Sequence, residues 1–189
     1  MAKTRPAAVN LSKQFATRQV RKTYTALLQG MLPEKYGRID SPIDDKSAVT
    51  EWTVIREFCS TKSPLSLVNF RPRDGRKHQL RRHAVRTNPC MIPLFTQTES
   101  DGIANLNPKS EILGCPIVGD DLYGSSIGRQ LLLCATEIEL MHPFKEGELV
   151  RAKIELPRSF AAYMQREEIR FIKYEEWIQA GIPRSLRYM

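Results

Sequence analysis

Seven arginine and lysine residues and two of the chain's three histidines fall between Phe70 and Arg86, in the run FRPRDGRKHQLRRHAVR, with Asp74 as its one acid. Fixed positive charge at that density is suited to a polyanion. The flanking residues give it a shape. SLVNF reads as a strand, Pro72 and Asp74-Gly75 as a turn, and KHQLRRHAV as the first turns of a helix. Backbone N–H groups at such a helix start, beside several guanidiniums, form a natural seat for phosphate. The same run also reads as a solvated basic helix face, and charge by itself does not separate the two.

Composition sets the class. With 189 residues, 41% hydrophobic and 26% charged, the chain reads as one ordinary globular unit. The net charge of +8 favours a polyanionic partner such as nucleic acid. No apolar run approaches the roughly 20 residues that span a bilayer, so no membrane association is expected. The first residues, MAKTRPAAVNLSKQF, lack the apolar core of a secretory signal. An intracellular protein is expected, of mitochondrion or cytoplasm; the first 22 residues are basic and carry no acid, as in a mitochondrial presequence, but the helix and strand that they predict explain them better. Cys59, Cys90, Cys115 and Cys134 are widely spaced and form no CxxC pair, so free thiols are expected rather than a zinc or redox site.

The elements that must position the basic run follow from periodicity. Ala8, Leu11 and Phe15 predict one face of a short helix over 5–18, with Pro6 in its first turn. VRKTYTALLQG predicts a strand with Tyr24, Ala26 and Leu28 on one face and Thr23, Thr25 and Leu27 on the other. MLPEKYGRIDSPIDDKS reads as a loop. AVTEWTVIREFC is a second strand, with Trp52, Val54 and the stem of Arg56 on one side, and LSLVNF pairs with it as a hairpin. LGCPIVGDDLYG is a tight turn; RQLLLCATEIELMHP is a strand whose apolar start suggests a central place, and LVRAKIELP completes a second hairpin. A helical close over 159–181 is expected to face Ile169, Ile172 and Trp177 inward.

Taken in order, LSKQFATRQVRKTYTALLQG, GRIDSPI, AVTEWTVI, SLVNFRPRDGRKHQLRRHAV, LGCPIVGDDLYG, LLLCATEIELMHP and ELPRSF resemble the RluA-type RNA pseudouridine synthases, which isomerise uridine to pseudouridine in ribosomal or transfer RNA. The resemblance runs from about Ala2 to Phe160. It implies an α+β fold: a mainly antiparallel mixed sheet flanked by helices, forming part of the family's catalytic fold. Residues 1–160 would be that partial domain, with 87–113 an insertion and 161–189 a C-terminal helical extension. The resemblance also implies an RNA partner, rRNA or tRNA, and no cofactor or metal. Tyr24 takes the place of the tyrosine that packs on the target base, and Arg81 that of the arginine paired with the catalytic aspartate. Arg73, Arg76, Lys77, Arg82 and Arg86 then face RNA, while His78, Gln79, Asp120 and Tyr123 support the site. The five-residue spacing of His78 and His83 argues against metal chelation.

One departure bears on activity. The family's His-Arg-Leu-Asp-x-x-Thr-Ser-Gly motif, which carries the catalytic aspartate, would precede Ala2-Lys3-Thr4 and is not in these 189 residues. Gly37-Arg38-Ile39-Asp40 imitates part of it but continues as Ser-Pro-Ile, so Asp40 is expected to be a loop residue. Asp74 stands where the family commonly has threonine and reads as turn-forming. Three readings follow: a catalytically inactive relative that binds RNA, a fragment of an active synthase, or a non-catalytic component of a larger assembly. Without the family's first strands, the Tyr24 strand is expected to be a bare sheet edge that a protein partner covers.

Overall fold

The alternation along RKTYTALLQ places side chains on both faces of a strand, and both faces are buried. In the computed structural model, which describes residues 2–85 and 114–181, the elements run α1 (Arg5–Ala16), β1 (Arg21–Gln29), β2 (Tyr36–Asp40), β3 (Val49–Phe58), β4 (Leu65–Pro72), α2 (Gln79–Val85), β5 (Leu133–Met141), β6 (Leu149–Lys153) and α3 (Arg158–Gln179). The strands form one antiparallel sheet in the order β2-β3-β4-β1-β5-β6. This is the expected α+β architecture. Arg86 and the 87–113 insertion lie outside the described residues.

Each sheet face carries its own core. Ala26 and Leu28 of β1 join Trp52, Val68 and Phe70 on one face, covered by Leu80 and Ala84 of α2 and by Ile117. Leu27 joins Leu65 and Leu67 on the other, against Val118, Ile127, Leu132 and Phe160 of α3. Leu27, Leu28, Leu65 and Phe70 are fully buried, each stabilising the fold by roughly 1.5–3 kcal/mol relative to exposure. The sheet centre is thus shielded on both sides, and β1 sits in it, paired to β4 and β5. That corrects the expectation of a bare edge at Tyr24 and removes the reason for a partner there. The edges are β2 and β6.

Other departures have local causes. β2 forms inside the expected loop: Gly37 opposes Trp52, and a Cβ at Gly37 would sit 2.7 Å from the indole ring, so only glycine lets this edge strand lie against it. Asp40 is accordingly the last residue of β2, exposed and paired to Arg38, rather than a loop residue. A bulge between Val54 and Arg56 inserts Ile55, so Arg56 opposes Leu67 on the second core's face instead of joining Trp52 and Val54. It meets Glu168 of α3 there. In α1 the buried residues are Ala7 and Gln14, whereas Phe15 is 49% exposed. Gln14 wins the inward place because its amide bonds both the backbone N–H and the carbonyl of Met141 at 2.9 Å. Ile169 and Ile172 of α3 face outward, Trp177 is half-buried, and the helix buries Phe160 and Glu167. Cys59 and Cys134 are free, as expected.

The turn that follows Ile117 is built on glycines. Gly119 has φ +77, and a Cβ there would lie 1.9 Å from the Gln130 carbonyl oxygen. Gly124 has φ +92 with open space around it. Gly119→Ala should therefore lower the unfolding free energy by about 2–5 kcal/mol, from the left-handed backbone plus overpacking, and Gly124→Ala by only about 1–2 kcal/mol. Urea unfolding of the two variants checks the difference.

Candidate nucleic-acid interface

β1, the end of β4, the turn after it, α2 and the start of β5 converge on one cleft. It is lined by Lys22, Tyr24, Pro72, Asp74, Gly75, Arg76, His78, Gln79, Leu80, Arg81 and Leu133, and its volume is about 220 Å³. That is below the ~300–1,000 Å³ of drug-sized sites and suits one small planar group. Tyr24 is half-buried and packs against the first core, with Leu133 beside it on that core. An aromatic ring and an apolar side chain share the lining with the cations Lys22, Arg76 and Arg81.

The turn is held from beneath. Gln79 is buried; its Oε1 accepts from the Arg76 N–H at 3.0 Å, and its Nε2 donates to the Val49 carbonyl at 3.0 Å and to Thr50 Oγ1 at 3.1 Å. His83, also fully buried, bonds Thr50 Oγ1 through Nδ1 at 2.9 Å and the Ser41 carbonyl through Nε2 at 3.1 Å. A carbonyl only accepts, so Nε2 carries the proton and Nδ1 accepts from Thr50 in the neutral ring. Both histidine nitrogens are thereby used in structure. Among the described residues no group of His, Cys, Asp or Glu is arranged to hold a metal.

Arg81 is the centre of a second network. Its Nε donates to Asp120 Oδ2 at 2.8 Å and its Nη2 to Oδ1 at 2.7 Å. Asp120 also accepts from the Tyr123 N–H at 3.0 Å, and the Tyr123 ring lies 4.9 Å beneath the guanidinium. His78 Nδ1 is 3.1 Å from the Tyr123 hydroxyl, with the two rings edge to face. His78 adopts φ +54, a backbone region that non-glycine residues seldom occupy. Three residues from two separate segments thus fix one guanidinium at the cleft wall.

The electrostatics of the pair agree. Burial pushes the Asp120 carboxyl up, but the Arg81 hydrogen bonds, the Tyr123 N–H and the Arg81 charge outweigh it, and the net shift is downward. Arg81 is pushed up, first by its hydrogen bond to Asp120. Its side chain is 18% exposed while that of Asp120 is 0%, so the cleft meets the cation and not the carboxylate.

The cleft brings together Tyr24, Arg76, His78, Gln79 and Arg81, with Asp120 and Tyr123 behind Arg81. It does not bring in Arg73, which pairs with Glu51, or Arg82, whose Nη1 bonds both oxygens of Asp44 at 2.9 and 3.0 Å. Lys77 is exposed and not among the lining residues. Lys22, Leu133 and Asp74 were not among the expected site residues. Lys22 was legible, since it lies two residues before Tyr24 and so on the same face of β1; Leu133 carried no signal beyond its place in an apolar run.

Residues 1–85 match the family model described as RNA pseudouridylate synthase. An uncharacterised RNA pseudouridine synthase of Zymomonas mobilis is 33% identical over 79% of this chain and 63% of its own length. A tRNA pseudouridine synthase C of Vibrio cholerae is 25% identical over 76% of this chain and 61% of its own. The human RNA pseudouridylate synthase domain containing 1 structure aligns with a TM-score of 0.59 over 82% of this chain and 62% of that one, at 23% identity, a likeness of fold. The chain spans about half to just under two thirds of the length of the curated relatives it matches.

Removing the carboxylate partner tests the network. Asp120→Asn should destabilise the fold by about 3 kcal/mol near neutral pH, because Arg81 is left partly buried and uncompensated. Because the folded-state Asp120 value lies below the ordinary 3.8, its stabilisation is full above that value and is lost as pH falls through the depressed one. The gap between parent and variant should therefore narrow below about pH 3.8, as urea unfolding across pH would register.

Proposed function

The chain belongs to the RNA pseudouridine synthase family, and from that premise we propose that these 189 residues form an RNA-binding half-site which takes a single extruded uridine but does not isomerise it alone. An extruded base needs a π or apolar surface and its neighbours need phosphate anchors. Tyr24 and Leu133 supply the first. Lys22 and Arg76 supply the second from the cleft, and Lys77 from the flanking turn.

The reaction of the family sets the remaining requirement. The C1′–N1 glycosidic bond breaks, the uracil turns, C5 bonds to C1′, and the C5 proton leaves while N1 gains one. A carboxylate must act at the sugar or the base, as nucleophile or as proton acceptor. The observation that carries the proposal is what the carboxylates at this cleft, among the described residues, are already doing. Both Asp120 oxygens are bonded to Arg81, and the side chain is fully buried. Asp74 is 4% exposed and accepts from the Val49 N–H. Neither is free to reach a nucleotide.

Arg81 retains donors for an incoming carboxylate, because Asp120 engages only its Nε and Nη2. A guanidinium carries five N–H groups, so its Nη1 can orient an aspartate delivered by a longer form of the chain or by another polypeptide. The fragment reading and the inactive-relative reading differ only in whether that aspartate arrives.

Incubating the 189-residue protein with rRNA and tRNA and mapping pseudouridine should give binding without product; catalytic-group loss typically costs several orders of magnitude. Affinity should fall steeply as salt rises from about 50 to about 200 mM, with Arg76→Ala reducing the salt slope by about one. Pseudouridine made by this polypeptide alone would contradict the proposal, and so would an affinity indifferent to salt.

A further inference from the structure

Asp74 is a second buried carboxylate at the cleft, and it is compensated differently from Asp120. Its Oδ2 accepts from the Val49 N–H at 2.7 Å, and the Arg73 N–H donates to the Val49 carbonyl at 2.9 Å, so the turn is fastened to the start of β3. Oδ1 has no hydrogen bond among the described residues. Arg18 Nη1 lies 2.9 Å from it, within ion-pair range but out of line for a hydrogen bond. The buried charge is therefore offset through space by one side chain, and that side chain is 55% exposed.

Arg18 has an unusual backbone. It follows Thr17, the C-cap of α1, and has φ +60. Its N–H donates to the Phe15 carbonyl and the Gln19 N–H to the Gln14 carbonyl, the double closure in which this position is usually glycine. Arginine is disfavoured there by its Cβ. What it gains is the placement of a guanidinium over Asp74.

Exposure of the acid separates this pair from those of Arg73 and Arg82. The partner of Arg73, Glu51, is 40% exposed, and the partner of Arg82, Asp44, is 69% exposed, so an approaching phosphate meets an acid beside each of those cations. The partner of Arg18 is 2% exposed. Arg18 presents a held guanidinium outward with its counter-charge hidden beneath. We infer that Arg18 is an RNA phosphate contact at the rim of the cleft, and that Asp74 is the residue that positions it. The inference rests on the RNA-binding reading above. It extends the binding surface from α2 and its turn to the C-terminus of α1, and it gives Asp74 a role other than turn formation.

The test turns on a sign. Asp74→Asn removes a negative charge from a polyanion-binding surface, so charge counting alone requires tighter RNA binding. Loss of the positioning carboxylate requires weaker binding, by a few fold, together with a shallower salt slope. Arg18→Gly, which suits the left-handed backbone, should weaken binding of a uridine-containing oligoribonucleotide by about tenfold and reduce the salt slope by about one. Asp74→Asn added to Arg18→Gly should then change little, because the two act as one unit. Fluorescence anisotropy gives the affinities, and circular dichroism checks the fold; should Asp74→Asn not fold, Arg18→Gly decides. Asp74→Asn binding as tightly as the parent or more so, or Arg18→Gly leaving affinity and slope unchanged, overturns the inference. A parent and an Arg76→Ala variant that differ while Arg18→Gly matches the parent would sink Arg18 alone. A parent that does not bind RNA would sink the RNA-binding reading and this inference with it.

Discussion

A carboxylate with no access to water must be compensated by the protein, and at Asp120 the compensation is Arg81. Two hydrogen bonds of 2.8 and 2.7 Å join α2 to the turn that follows Ile117. Much of the cleft depends on that union. It fixes which way the guanidinium points, brings Tyr123 beneath it and His78 against Tyr123, and so sets the wall facing Tyr24. The same pairing disposes of the charge. Arg81 and Asp120 cancel as a pair, so attraction for a polyanion at the cleft falls to Lys22 and Arg76.

Two carboxylate–guanidinium pairs flank the cleft, and their different burial gives them different consequences. Arg81–Asp120 is closed, with 18% and 0% of the side chains exposed. Arg18–Asp74 is open on its cationic side, at 55% and 2%. Removing one member of a buried pair leaves a charge stranded and is costly, while an exposed cation is screened and contributes little to stability. The first pair therefore belongs to the integrity of the wall. The second leaves its cation available to a ligand.

Much of this was legible in the sequence where local pattern decides the outcome. The β1 alternation placed Ala26 and Leu28 opposite Leu27 because strand geometry has a period of two, and the Phe70–Arg86 run located the turn, the helix and the cleft. What pattern could not supply was anything set by a distant partner. β2 was unreadable because it depends on Trp52 lying over Gly37, and Arg56 changed face because a one-residue bulge leaves no mark on hydropathy. Phe15 looked like the inward residue of α1, yet Gln14 took that place through two bonds to Met141. The family resemblance singled out Tyr24 and Arg81, and both line the one cleft. It misled on the sheet, where the argument from absent strands made β1 an edge although β4 and β5 flank it. Asp120 read as a turn residue, which it is; that it is also the partner of Arg81, 39 residues earlier, has no local signature beyond an acid between glycine-rich turns.

The central claim is that the cleft between Tyr24 and Arg81 receives one extruded nucleotide of an RNA. A structure of the protein bound to a short uridine-containing oligoribonucleotide tests it most directly. The account predicts one base turned out of the strand and lying against Tyr24 and Leu133, with its flanking phosphates on Lys22 and Arg76. An oligonucleotide bound on another face, with the cleft empty and Tyr24 untouched, would contradict it.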